Sequence, residues 1–539
     1  MKKHSLLKTL AIVLLIVVLC TYFISSRGNV VSFLAFTKGT ASYLGLGDVL
    51  IYFVQSFYHF FDTIVFVLVV GAFYGILNLV PAYKSFVNGI AKKFKNNNFR
   101  FVAVITIIFA LIASLTGINL PLFIFVPFVV AILLAMGNDK LVSLSATVGG
   151  ILVGFIGGIF TTLRDPSNSY SVSYTTFDKL VGLDSNFTTI IPRIVILILG
   201  VGLLIWYIKK HMTNVKDKKV KYDMGEKLEL VSKEADKAYS KVSFWPVIVL
   251  GGLVLKYLTV IFSTLISMPN WYNLVCNIVI LVAVIVLIVI FRNSKKAISS
   301  NVMLAIILGC TLLFLILGLT PWSTLFGMTF FDKVHTNLIA SLKWGEFSAF
   351  ENVISSNFAA FGSWSSWGSF LLPMVMLLIM GIIIKFTYKV KFDDIIDGSI
   401  EGAKKALPSV LIVAVAYTVL VCSYNNGFME TVVEAAGSNV FLQLIVSMFG
   451  SLFGVDLYYT LASTFSPILE AVTDYGKVLA VAFPSVYGLV QLIGPTSLLL
   501  IIGLTYFDVP YRTWVKYIWR FVLMLFVIVA LTLFVVALI

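Results

Sequence analysis

The stretch MGNDKLVSLSATVGGILVGFIGGIFTT, Met136 to Thr162, has a counterpart in DYGKVLAVAFPSVYGLVQLIGPTS, Asp474 to Ser497. Each is an apolar helix pattern opened by a charged turn and closed by a cluster of Gly, Pro, Thr and Ser. Aligning Lys140 with Lys477 also aligns Gly157 with Gly494. A second pair of segments, Phe61 to Ala91 and Leu407 to Ala436, aligns Tyr74 with Tyr417 at nearly the same offset. One half of the chain therefore reads as a diverged copy of the other. In an apolar chain, duplicated halves with matched broken helices are the sequence mark of a secondary transporter, whose solute site lies where the breaks meet.

Composition supports that class. With 60% hydrophobic, 14% aromatic and 12% charged residues, a chain of 539 residues cannot cover its own surface in water. It reads as an all-α polytopic membrane protein of the cell membrane. Cys20, Cys276, Cys310 and Cys422 lie in apolar stretches without metal-ligand spacing and read as buried thiols. The net charge of +14 comes from lysines in short loops beside apolar spans, as the positive-inside rule requires, so no nucleic-acid partner is expected. Leu6 to Ile24 is long enough to span, and no small-x-small cleavage site follows. It reads as a signal-anchor helix starting in the cytoplasm.

Further continuous spans are read at Phe61 to Val80, Ile190 to Ile208, Phe244 to Leu265, Leu274 to Phe291, Val302 to Thr320, Phe370 to Phe386 and Tyr517 to Ile539. Basic loops at Lys84 to Arg100, Lys209 to Lys241, Arg292 to Lys296, Lys385 to Lys405 and Arg512 to Arg520 mark the inside. Phe61 to Val80 then runs inward, whereas its counterpart Pro408 to Tyr424 runs outward. Leu141 to Thr162 runs outward and Val478 to Leu500 inward. This is an inverted-topology repeat. The expected division is 1–48 signal-anchor helix and outer segment, 49–208 first repeat and 209–243 cytoplasmic linker. Residues 244–384 are then scaffold helices and an outer loop, and 385–539 the second repeat.

Between the paired segments lie shorter apolar runs with Gly, Pro and hydroxyl pivots, at Leu115 to Pro121 and at Gly454 to Pro467. Two re-entrant hairpins fit these runs, and short tilted full spans are the alternative; exposed backbone at a hairpin tip implies a polar cavity. With two broken transmembrane helices, the breaks being Gly157 to Thr162 and Gly494 to Ser497, the candidate solute-binding residues follow. They are Thr116 and Asn119 in the first hairpin and Ser463, Thr464, Ser466 and Glu470 in the second. From the breaks come Gly157, Gly158, Thr161, Thr162 and the adjoining Asp165, together with Gly494, Pro495, Thr496 and Ser497. Opposed half-helix ends present N–H groups and carbonyls there, and hydroxyls replace a solute's hydration shell. Gly150, Gly154 and Gly158 also form a ridge suited to close helix packing. Charge inside apolar segments is costly, which singles out Asp456, Glu470, Asp474, Asp165 and Lys256.

The segment FVLVVGAFYGILNLVPAYKSFVNGIAKKFK from Phe66, DDIIDGSIEGAKKAL from Asp393, and IGPTSLLLIIG followed by VPYRTWVKYIW resemble the YfcC family. That family comprises C4-dicarboxylate-carrier-like proteins, also described as arginine/ornithine antiporter-like, within the wider ion transporter superfamily. The resemblance covers about Asp48 to Ile539 and is most specific at Gly494 to Ser497 with Pro510-Tyr511-x-x-Trp514-x-Lys516. It implies a scaffold and a transport region with the solute between hairpin tips and breaks. The chain departs from the family pattern at Gly117 to Pro121, which lacks an acidic pair, and at Leu461 to Ser466. The expected function is secondary transport of a small charged metabolite, an amino acid or a C4-dicarboxylate. No cofactor is expected beyond a coupling Na+ or H+, and metal binding is left open. Besides the solute, the expected partners are the lipid bilayer and, as an option, a second copy in a homodimer. The alternatives are a membrane-embedded acyl or glycosyl transferase and a passive channel. The four histidines fall in no HxxxxD or HExxH arrangement, which disfavours the enzyme.

Overall fold

The computed structural model describes residues 5–24, 29–31, 38–40, 43–164, 172–184, 187–219, 241–243, 245–266, 268–292, 297–320, 322, 328–344, 347–348 and 370–539. Among them ten helices are long and apolar enough to cross a membrane, from Ser5–Phe23 to Tyr511–Leu538. Strands among the described residues are confined to four two-stranded ribbons. The chain is an all-helical, multi-pass membrane protein.

The inversion is visible in how equivalent helices pack. A Cβ added to Gly71 of Phe61–Leu79 would meet Gly402 O at 2.6 Å, and one on Gly75 would meet Gly398 O at 2.0 Å. Residue numbers rise on one helix as they fall on the other, so Phe61–Leu79 and Phe392–Asn426 cross antiparallel. Glycines spaced by four on both helices let the backbones touch, which is how helices associate where apolar burial gives no net drive. Another two helices, one from each half, also cross antiparallel. Gly200 of Phe187–Lys216 lies against Leu525 of Tyr511–Leu538, while Tyr207 and His211 lie against Tyr517.

Both hairpins return to the side from which they start. In the first, Asn98–Thr116 ends at Gly117, whose φ of 71° is the left-handed conformation that stops a helix. Leu120–Ala135 then leads back, and Asn98 and Asn138 exchange amide hydrogen bonds of 3.0 and 2.8 Å across the base. In the second, Val440–Ser451 begins at Asn439, whose side chain accepts from Phe441 N and Leu442 N. Its return arm, 457–471, packs Thr464 against Gly450 and Thr460 against Gly454. The turning residues are therefore 452–456, shorter than the Gly454 to Pro467 pivot read from sequence. Residues 461–465 instead form a π-helical turn within the return arm.

The broken helices are Lys140–Ile156, with its own π turn at Ser145–Gly149, and Gly476–Gln491 followed after the break by Leu498–Tyr506. Asp139 caps the first, accepting from Val142 N at 2.7 Å. The halves differ beyond their breaks. No second half-helix follows Gly157 and Gly158; Phe160–Arg164 pairs antiparallel with Val172–Thr176. Each strand has two Thr and one aromatic residue, types that favour the extended chain. The arm from Asp393 and the span from Pro408, separate in the sequence reading, form one helix with Pro408 inside it.

Candidate functional site

In each repeat the hairpin tip is hydrogen-bonded to the break of the same repeat. In the first, Ser114 Oγ donates to Gly157 O at 2.9 Å and Ile159 N donates to Ser114 O at 3.2 Å. Gly117 lies so close to the strand after the break that a Cβ would stand 3.2 Å from Phe160 O. Thr116 is turned back on its own helix, its hydroxyl donating to Ile112 O and accepting from Ile118 N. Asn119 Oδ1 is buried and, among the described residues, has no hydrogen-bond partner. Thr161 is buried. Gly157 and Gly158 are also packing positions: a Cβ on Gly157 would lie 2.7 Å from Leu197 Cβ, and one on Gly158 would lie 2.8 Å from Phe155 O.

The second tip is held by three side chains from its broken helix. Tyr487 OH donates to Val455 O at 3.4 Å, Gln491 Nε2 to Gly454 O at 2.8 Å and Thr496 Oγ1 to Leu452 O at 2.8 Å. The carbonyls at the end of Gly476–Gln491 are satisfied from elsewhere. Trp514 Nε1 donates to Leu492 O at 2.9 Å, and Tyr511 OH donates to Ile493 O. The Pro510-Tyr511-x-x-Trp514 motif thus caps the break from the last helix. Donors remain on the other side. Ser497 stands at the N-cap of Leu498–Tyr506 without a side-chain cap bond, and the first amide to find an intrahelical acceptor is Ile501 N, bonded to Ser497 O at 2.8 Å. The N–H groups of Leu498, Leu499 and Leu500 open onto the break, at the positive end of the helix dipole. Pro495 contributes no N–H, so the chain between Gly494 and Ser497 stays out of helix.

The two assemblies meet. Ser485 Oγ donates to Ile156 O at 3.1 Å, and the second return arm touches the Phe160–Arg164 strand. Not all residues singled out from sequence are gathered there. Ser463, Thr464 and Ser466 belong to the return arm; Thr464 is buried between the hairpin arms, with its hydroxyl 3.3 Å from that of Ser463. Glu470 is exposed near the C-terminal end of that arm. Asp165 lies outside the described residues, and of Thr162 only the backbone is described.

A buried ion pair and a buried histidine–carboxylate hydrogen bond escaped the sequence reading. Arg193 is fully buried and bidentate to Asp178, at 2.7 and 3.2 Å, and also donates to Ala480 O at 2.9 Å. It ties the segment after the first break to the second broken helix. A lone Arg inside the Ile190 to Ile208 run was the available signal. His211 Nε2 lies 2.7 Å from Asp139 Oδ2 at the start of the first broken helix, where Ser145 Oγ also donates to Tyr517 OH at 3.1 Å. Among the described residues no three His, Cys, Asp or Glu side chains converge as metal ligands.

Known proteins share parts of this chain. An uncharacterized protein of Haemophilus influenzae is 26% identical over 175 residues, 31% of this chain and 31% of that protein. The chain thus matches about a third of that relative's length. The crystal structure of the Alcanivorax borkumensis YdaH transporter aligns with 98% of this chain and 97% of its own, at 12% identity and a TM-score of 0.35. A model of the DcuC family, C4-dicarboxylate anaerobic carrier, matches residues 34–319, which include the whole first hairpin and first break. With more than half of its residues matched by that model, the chain belongs to the C4-dicarboxylate anaerobic carrier family.

Proposed function

We propose that the protein is a secondary active carrier of a small carboxylate-bearing metabolite, an amino acid or a C4-dicarboxylate. The observation that carries this reading is the polarity of the second break. Its carbonyls are occupied by Trp514 and Tyr511, while the amides of Leu498 to Leu500 and the Ser497 hydroxyl are not occupied by the helix. Such an end receives an anion. Membership of a family of dicarboxylate carriers agrees with it. A carboxylate entering the membrane interior needs its charge balanced, which a co-transported Na+ or H+ or a counter-moving anion supplies.

The test is uptake of labelled amino acids and C4-dicarboxylates into proteoliposomes preloaded with unlabelled solute. Saturable uptake accelerated by internal solute is the expected outcome. A flux linear in concentration without counterflow would indicate a channel, and recovery of a chemically altered solute an enzyme. Sidedness is checked by cysteines placed at exposed positions. Lys92→Cys and Lys404→Cys should react with impermeant reagents only from the cytoplasm, Thr473→Cys and Asp184→Cys only from outside. Reversal at any one of the four breaks the proposed orientation, which places the N-terminus inside.

A further inference from the structure

The equivalent segments Phe61 to Ala91 and Leu407 to Ala436 each run into a short amphipathic helix that lies against the hairpin of its own repeat. In the first repeat this is Pro81–Phe94, which buries Ala82, Tyr83, Val87 and Ala91 and stacks Phe86 on Phe128 of the return arm, ring centres 5.9 Å apart. In the second it is Phe428–Ala436, which buries Phe428, Met429 and Val433 and accepts at Val433 O a 2.8 Å hydrogen bond from Gln443 Nε2. The packing roles match, but the charges are opposite. Pro81–Phe94 carries Lys84, Lys92 and Lys93, Lys95 and Arg100 follow it, and no Asp or Glu occurs between Asp62 and Asp139. Phe428–Ala436 carries Glu430 and Glu434, and no Lys, Arg or His occurs between Lys405 and Lys477.

The fold therefore asks for an amphipathic helix at both places and leaves the sign of its polar face free. That sign is set by what the face meets. Lys84, Lys92, Lys93, Lys95 and Arg100 are exposed, and among the described residues none has an ion-pair partner. Lys209 extends the patch, its Nζ standing 5.2 Å from the centre of the Phe99 ring. Phe94 and Phe101 pack together in the same segment, ring centres 5.0 Å apart, as aromatic side chains of the kind that enter the headgroup boundary. Unpaired cations with aromatic rings among them complement an anionic lipid surface, where each Lys or Arg is worth about fivefold in affinity. Lysines that serve orientation alone are interchangeable with those of any other inner loop. We propose that Pro81–Phe94, with Lys95, Arg100 and Lys209, is a docking surface for the headgroup phosphates of anionic lipids in the inner leaflet, and that lipid held there steadies the first hairpin through Phe86 and Phe128. The leaflet rests on the proposed orientation, and the effect on uptake rests on the carrier reading.

The thermal midpoint of the purified protein in neutral detergent is followed during titration with phosphatidylglycerol, phosphatidylcholine and inorganic phosphate. The variants are Lys92→Gln/Lys93→Gln/Lys95→Gln and, as a control of equal charge, Lys389→Gln/Lys391→Gln/Lys404→Gln on another basic loop. All six lysines are exposed, so both triple variants are expected to fold. Phosphatidylglycerol alone should raise the midpoint, with a half-effective concentration about tenfold or more higher in the first variant, unchanged in the control, and weakened for the wild type by high salt. In proteoliposomes the first variant should lose the stimulation of uptake by phosphatidylglycerol and match the wild type in phosphatidylcholine alone. Equal phosphatidylglycerol dependence in the wild type and the first variant overturns the assignment, as does an equal loss in the control or equal stabilisation by inorganic phosphate. Labelling of Lys92→Cys only from outside overturns the leaflet. Should uptake be absent in every membrane while lysine-dependent stabilisation persists, the carrier reading fails and the lipid surface stands.

Discussion

Replacing Thr496 and Ser497 together by alanine should lower uptake roughly ten- to a hundredfold in apparent affinity, the equivalent of one hydrogen bond to a charged group at about 1.5–3 kcal/mol. The two residues act differently. Thr496 is buried and holds the second tip through Leu452 O, so its loss loosens the hairpin against the break. Ser497 sits at the helix end with its hydroxyl unused by the cap, so its loss removes a donor from the proposed anion site. Thr496→Ala alone should therefore change maximal rate and thermal stability as well as affinity, and Ser497→Ala affinity alone. The control is Thr213→Ala, whose exposed hydroxyl bonds only to Lys209 O of its own helix. Labelled-solute counterflow on the four proteins decides it. Wild-type kinetics in the double variant would reduce the second break to a helix-packing feature.

The larger effect on stability should come from the glycine crossing. A Cβ at Gly75 would stand 2.0 Å from Gly398 O, and one at Gly402 would stand 2.2 Å from Gly71 O; both contacts are with backbone, which cannot swing aside. Gly75→Ala forces the helices apart and should cost about 1–3 kcal/mol, and Gly75→Leu should abolish the folded monomer. Gly89→Ala supplies the opposite sign. Nothing lies within 4 Å of its added Cβ, and alanine in a helix is favoured over glycine by nearly 1 kcal/mol. Thermal midpoints and size-exclusion profiles in detergent give the comparison, and equal profiles for Gly75→Ala and Gly89→Ala would refute the crossing.

Gly and Pro made much of the architecture readable because each acts on the backbone locally. Gly117 and Gly427 stop helices in the left-handed region, and Gly494-Pro495 interrupts one. The ribbon after the first break was not readable from Gly157 and Gly158. Whether a chain continues as helix or strand depends on Phe160 to Arg164 finding Val172 to Thr176, a pairing across residues with no shared pattern. The second tip was misplaced for a different reason. The hydroxyl-rich 460–466 segment drew attention instead, although it forms a helical arm. Arg193 and Asp178 are fifteen residues apart, and nothing local announces that they meet.

The glycine crossing also constrains how the protein is made. Gly75 and Gly398 are separated by 323 residues (398 − 75). At the 5–20 residues per second of chain synthesis, the first helix waits roughly 15–65 s before its partner emerges. During that interval the groove along Gly71 and Gly75 faces lipid or whatever transient helix stands near it, so the first half is inserted well before it is fitted. Folding of this chain is thus expected to be completed late, after Phe392–Asn426 has entered against a helix already in place and the segments that follow it have emerged.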